Sequence, residues 1–280
     1  MARMLDRRYV LKSLGVALPA ILTARKPALG TSSPPKLKVT DIKTYVMKTG
    51  QIFVEVFTDQ GISGFDECSP MMHGSAYAAI IERAIKPRVV GRSPFDVEKI
   101  WRDVWFSHYK LGPMGIYPQA LAGVDIALWD IMGKALGVPC YMLLGGKVRD
   151  KVPLYASAMR RHRKPVEEVK FIEKWIEKGF KAAKVHPYEY WAFNQGYDDT
   201  LDVVREFRAA FGDRVALLVD VNNSYTVERA IEVGRELERY RCALFEEPIP
   251  AYDYAGYRRL CAALDIAVGA GEQEYTHWQH

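Results

Sequence analysis

Apolar and polar positions alternate from Leu37 to Thr49, in LKVTDIKTYVMKT, and again from Gln51 to Glu67, in QIFVEVFTDQGISGFDE. A period of two with many β-branched residues predicts strands, and Asp59-Gln60-Gly61 supplies a turn, so this stretch reads as a hairpin or meander. Over 76–136 the period becomes helical. Its clearest helix is PQALAGVDIALWDIMGKALG, where Leu121, Val124, Leu128, Ile131, Met132 and Ala135 fall on one stripe. Pro118 suits the first turn of that helix, Gly137 suits its C-terminal cap, and Pro139 follows. From about residue 151 the two periods interleave. Strands are predicted in KVPLYAS, FKAAKVHP, RVALLVDVN, CALFEEP and IAVGAGE, with amphipathic helices between them. Such alternation implies right-handed βαβ units around a parallel sheet. The strands from 214 onward are almost wholly apolar, as expected when both faces of a sheet are covered. The fold class is therefore α/β: an α+β N-terminal domain followed by a parallel barrel or open sheet.

Composition changes this picture little. The chain has 280 residues, 49% of them hydrophobic, which suffices for one large domain or two medium ones with a proper core. The formal charge of +5 comes from the first 30 residues, which hold six basic residues and one acid. The remainder has 33 of each sign, so charge gives no case for nucleic acid as a partner. In DRRYVLKSLGVALPAILTA the pair Arg7-Arg8 precedes an apolar run from Leu14 to Ala24. This resembles a twin-arginine export signal over 1–30 and predicts a periplasmic or exported protein, or a cytoplasmic one if the leader does not function. The run is short and contains Gly15 and Pro19, so no stable membrane span is expected. Residues 31–36 read as a linker, 37–150 as the N-terminal domain and 151–280 as the barrel domain. Cys68, Cys140, Cys242 and Cys261 match no metal-ligand spacing and are expected to be buried free thiols.

Candidate chemistry sits at the ends of the later strands. LLVDVNN, ALFEEPIP and VGAGEQEY each close an apolar run with an acid: Asp220, Glu246 and Glu272, spaced by 26 residues each time. In a parallel α/β fold such positions lie together at the C-terminal mouth of the sheet. One acid there is ordinarily a helix cap or an ion-pair partner. Three in phase repel one another unless they hold a cation or keep protons, and an all-oxygen donor set favours Mg²⁺ over zinc. Lys184 and His186 share one face of the strand before, and Asp220 and Asn222 share another. His186 is either a base or a structural histidine beside Pro187. His73, in SPMMHGS, and the basic run RRHRK at 160–164 are weaker candidates for substrate contact, with solvated loops as the alternative.

These motifs together resemble the enolase superfamily in its mandelate racemase/muconate lactonizing enzyme-like subgroup. The resemblance covers roughly 37–280. It rests on AGVDIALWDIMGKALGVPCYMLLGG at 122–146, on KVPLYAS, and on KVH, DVN, EEP and GAGE in order along successive strands. It implies an α+β capping domain followed by a modified (β/α)7β barrel. Asp220, Glu246 and Glu272 then match Mg²⁺ ligands. Lys184 and His186 match the catalytic pair, where many members carry Lys-x-Lys. There the first lysine faces the substrate carboxylate and the metal, and the second residue is the base; His186 in that place is a departure that also occurs in the family. Asn222 matches a polar neighbour of the first metal ligand and His73 lies where capping-domain loops of the family close over the substrate, so both are substrate-binding candidates, and Glu247, alternating with Glu246, is expected to point away from the site. The implied reaction removes the proton α to a carboxylate through an enediolate. Dehydration of a sugar acid is the first expectation; racemisation, epimerisation or cycloisomerisation is the second. A binding protein on the same fold is the non-enzymatic alternative, against which the acid triad argues. The implied partner is a small carboxylate, in a homo-oligomer when full length. Only about five barrel strands are legible, and the family's later His–Asp dyad has no counterpart. The chain is thus expected to be C-terminally truncated and, on its own, of uncertain activity.

Overall fold

The computed structural model describes residues 4–5, 35–69, 73–159, 164–187, 194 and 197–279. The expected leader over 1–30 lies outside them apart from Met4 and Leu5, as does RRHRK apart from Lys164. Two compact units form: residues 1–150 with 275–280, and residues 151–274.

In the first unit a two-residue strand, β1 (Met4–Leu5), runs parallel to the end of β2 (Val39–Met47). β2, β3 (Ile52–Thr58) and β4 (Ser63–Ser69) form an antiparallel meander, so the alternating stretch turns twice, once at 48–51 and once at 59–62. The period of two is realised in β3, where Ile52, Val54, Val56 and Thr58 are all buried. Helices α1 (Gly74–Ile80) and α3 (Ile116–Leu136) pack on the sheet, and α2 (Val97–Ser107) packs on α3. Of the predicted stripe on α3, Leu121, Val124, Leu128, Ile131 and Met132 are buried and Ala135 is partly so. Gly137 ends the helix in the left-handed region (φ 68°), where its missing Cβ removes the steric penalty. Gly64 has a different reason. A Cβ there would stand 1.9 Å from the Ala127 carbonyl oxygen, so β4 and α3 meet backbone to backbone.

The second unit alternates strands and helices: β5 (Ala156–Ser157), α4 (Pro165–Glu177), β6 (Ala182–Val185), α5 (Thr200–Phe211), β7 (Ala216–Asp220), α6 (Val227–Arg239), β8 (Leu244–Glu246), α7 (Tyr254–Ala263) and β9 (Val268–Gly269). All four pairings are parallel, and spatial order follows chain order. Val185, Leu217, Val219 and Phe245 are fully buried between the helices, which is why their strands read as apolar runs. The two outer strands are shorter than predicted. Pro153 brings no N–H to a ladder, and Leu154 and Val152 before β5 stay exposed. The thiols are free, as expected, but only Cys68 and Cys242 are buried; Cys261 is exposed on α7.

Candidate active site

The strand ends of the second unit set the site. Asp220 is the last residue of β7 and pairs in register with Glu246, the last of β8, while Glu246 pairs with Gly269 on β9. Because parallel neighbours in register present the same face, two carboxylates arrive side by side. Between them lies the Lys184 ammonium, with Nζ 2.6 Å from Glu246 Oε1 and 3.1 Å from Asp220 Oδ2. The Tyr155 ring stands 5.9 Å from the same Nζ. His186, just past the end of β6, places Nε2 3.0 Å from Asp220 Oδ2. Its Nδ1 is 2.6 Å from the Ala158 carbonyl oxygen. Lys184, His186 and Asp220 are all buried. Lys184 and His186 do share a face, and both turn to Asp220.

The charges explain one another. Burial opposes the Lys184 ammonium, but the Glu246 and Asp220 carboxylates outweigh it and hold its pKa above that of an ordinary lysine. Burial pushes the Asp220 carboxyl up, yet His186 and Lys184 outweigh that and hold it below the usual carboxylate range. Lys184 is therefore a fixed positive charge. A carbonyl oxygen only accepts, so Nδ1 of His186 donates to Ala158 and the opposite nitrogen faces Asp220. An ionised carboxylate only accepts as well, so Nε2 meets Asp220 as a donor, and for His186 to take a proton from a substrate Nε2 must release Asp220 and give up that proton.

Beyond the strand ends, alternation no longer predicts direction. Asn222 and Asn223 both adopt left-handed backbone conformations (φ 45° and 63°), and so does Glu247 (φ 43°). Asn222 meets Asp220 through its backbone, N–H donating to Oδ1 at 2.9 Å. Glu247 does not leave the acid group as alternation would require. It is buried, accepts from Asn223 Nδ2 at 2.9 Å, and has no partner for Oε1 among the described residues. Burial, then Glu272, then Asp220 push its pKa up to about 7. The left-handed residue at the strand end turns the chain and breaks the period of two. Glu247 and Asn223 were not legible as site residues; the doubled asparagine, tolerant of the left-handed region, was the available signal.

Glu272 lies on the turn after β9, closed by a hydrogen bond from the Glu274 N–H to the Gly271 carbonyl, and is exposed. His73 belongs to the first unit, exposed before α1 with φ 78°.

Among the described residues no three His, Cys, Asp or Glu side chains converge tightly enough to enclose an ion. The donor chemistry nevertheless fits a hard divalent cation. Asp220 and Glu246 already converge on one positive charge, the unpartnered Glu247 Oε1 adds a buried oxygen, and every candidate donor is a carboxylate.

Known proteins agree with this architecture. The mandelate racemase/muconate lactonizing enzyme N-terminal domain model matches residues 28–145, and the enolase C-terminal domain-like model matches 167–280. A D-galactonate dehydratase of Pectobacterium atrosepticum is 35% identical over 249 residues, covering 86% of this chain and 63% of its own length. The chain thus spans about 63% of the length of the curated relatives it matches. A solved mandelate racemase/muconate lactonizing protein from Paracoccus denitrificans superimposes with a TM-score of 0.82 at 34% identity, over 87% of this chain and 68% of that one. A second structure described in the same words, from the same organism and complexed with magnesium, gives a TM-score of 0.77 at 34% identity, over 85% and 66% of the two chains. With both domain types matched in order on the observed sheets, the chain belongs to the mandelate racemase/muconate lactonizing enzyme family of the enolase superfamily.

Proposed function

We propose that this protein removes the proton α to a carboxylate and, as its main reaction, dehydrates a sugar acid of the D-galactonate kind. One observation carries the reading: Asp220 and Glu246, in register on adjacent strands, converge on the buried Lys184 ammonium while His186 contacts the same Asp220 oxygen. The name of the Pectobacterium relative supports the substrate class.

Each residue has a part that follows from its chemistry. Lys184, held as an ammonium, balances negative charge that builds on the substrate carboxylate as the proton leaves. His186 accepts the C2 proton at Nε2 once that nitrogen has turned from Asp220 and shed the proton with which it meets that carboxylate. The C3 hydroxyl leaves the enediolate as hydroxide, which takes a proton from solvent to become water, and the resulting enol tautomerises to a 2-oxo-3-deoxy acid. Asp220, Glu246 and Glu272 would hold Mg²⁺, which when bound supplies further positive charge against the substrate carboxylate. Asn222 and His73 are assigned to substrate contact. An exported location and a homo-oligomer belong to the same proposal.

The likeness to proteins described as mandelate racemase/muconate lactonizing proteins favours a second reading, racemisation, epimerisation or cycloisomerisation through the same proton abstraction. Proton NMR of sugar acids incubated with the protein and Mg²⁺ in D₂O separates the two. A 2-oxo-3-deoxy product supports dehydration. Deuterium at C2 without loss of water supports the second reading. Neither change with any sugar acid, while Mg²⁺ is bound, contradicts both.

A further inference from the structure

A polar latch stands behind the carboxylates. Tyr225 is fully buried, and its hydroxyl lies 2.9 Å from both oxygens of Asp198 and 2.8 Å from Thr200 Oγ1. Arg229 Nη2, from α6, donates to Asp198 Oδ2 at 2.8 Å. Burial pushes the Asp198 carboxyl up, but hydrogen bonds from Thr200, Arg229 and Tyr225 outweigh it, so the carboxyl stays below the usual range and remains an acceptor. The Tyr225 backbone N–H donates to Pro248 O at 3.0 Å. One residue thus ties the start of α5, the loop after β7 and the chain after β8.

That loop needs tying. Asn222 and Asn223 are consecutive non-glycine residues in the left-handed region, a conformation that persists only where surrounding contacts over-determine it. The same two residues orient the acids: the Asn222 N–H meets Asp220 Oδ1, the Asn223 N–H meets the Glu247 carbonyl, and Asn223 Nδ2 meets Glu247 Oε2. On one side the loop is anchored by β7 and on the other by Tyr225.

We infer that Tyr225 and Asp198 are positioning residues, which hold the Asn222–Asn223 turn in its left-handed form and thereby aim the Asp220 carboxylate. The cation-binding role of Asp220 rests on the function proposed above, whereas the latch itself does not.

Amide hydrogen exchange read residue by residue by NMR tests the latch without any metal. In Tyr225→Phe the Asn222 and Asn223 amides should exchange about tenfold faster, the size of losing one hydrogen bond to a charged group, while amides of α7 keep their wild-type rates. Asp198→Asn, which lowers the charge on the acceptor and keeps its shape, should move them in the same direction. Unchanged protection at Asn222 and Asn223 in both variants overturns the inference, and so does an equal loss of protection across α7, which marks general destabilisation. Mg²⁺ titration of the same samples adds the functional arm: affinity should weaken about tenfold in Tyr225→Phe. Wild-type protein that binds no Mg²⁺ overturns the metal reading and leaves the exchange result to decide the latch.

Discussion

Asp220 accepts from the Lys184 ammonium and the Asn222 backbone N–H and faces His186 Nε2, so one buried carboxylate anchors three groups from two strand ends. Its neighbours Lys184 and Glu246 were legible because each sits on, or at the end of, an apolar run whose period fixes its face. Glu247, Asn223 and Tyr225 were not, because left-handed residues end the period and their partners lie elsewhere in the chain. Burial also leaves its mark on residues with no assigned chemistry. Asp125 on α3 is pushed up to about 6 by burial, with Glu98 adding repulsion against help from Trp129. The native state therefore keeps a proton that the unfolded chain, near its ordinary value of 3.8, releases. The resulting stability is fully present below that lower value and is lost as pH rises through about 6. Asp125→Asn should erase this dependence and be the more stable form above about pH 6, as urea unfolding on both sides of the window would show. A variant that loses stability equally at both ends would refute the assignment.

At the level of elements, helices α3 to α7 are legible almost to the residue, because each carries an apolar stripe and a clear end, whereas α1 and α2 are legible only as part of a helical stretch without bounds. The strands were legible in place but not in length. KVPLYAS yields a two-residue β5, since Pro153 has no N–H to give and Val152 and Leu154 find no cover. The sequence pattern marks one turn of the meander, at Asp59-Gln60-Gly61, where the chain makes two. Packing between elements left almost no trace in the pattern. Gly64 looks like a routine strand glycine, yet it is where β4 touches the backbone of α3. Gly64→Ala should cost about 2–3 kcal/mol by forcing strand and helix apart, measurable as a lowered unfolding midpoint in denaturant. Gly61→Ala is the control: it has open space around it, and only its positive φ of 76° is strained. Equal losses from the two substitutions would show that contact with α3 is not what matters at position 64.

Across the molecule, the change of rhythm near 151 marks the passage from an antiparallel sheet to a parallel one, and the compact units also divide after residue 150, although residues 275–280 belong to the first unit and not, as expected, to the second. The spacing sets Asp220 and Glu246 at one level, but Glu272 stands on the turn past Gly269, the register partner of Glu246, and is exposed, so the three acids are not side by side. Lys184 is on the sheet mouth with its pKa raised and its charge paired, so the carboxylates are preorganised around positive charge before any ligand arrives. The central claim is that this acid group holds a divalent cation. Isothermal titration of Mg²⁺ into the purified protein tests it most directly. The account predicts a saturable isotherm with one site per chain, lost in Asp220→Asn and in Glu246→Gln. No binding heat in the wild type, or isotherms unchanged in both variants, would contradict it.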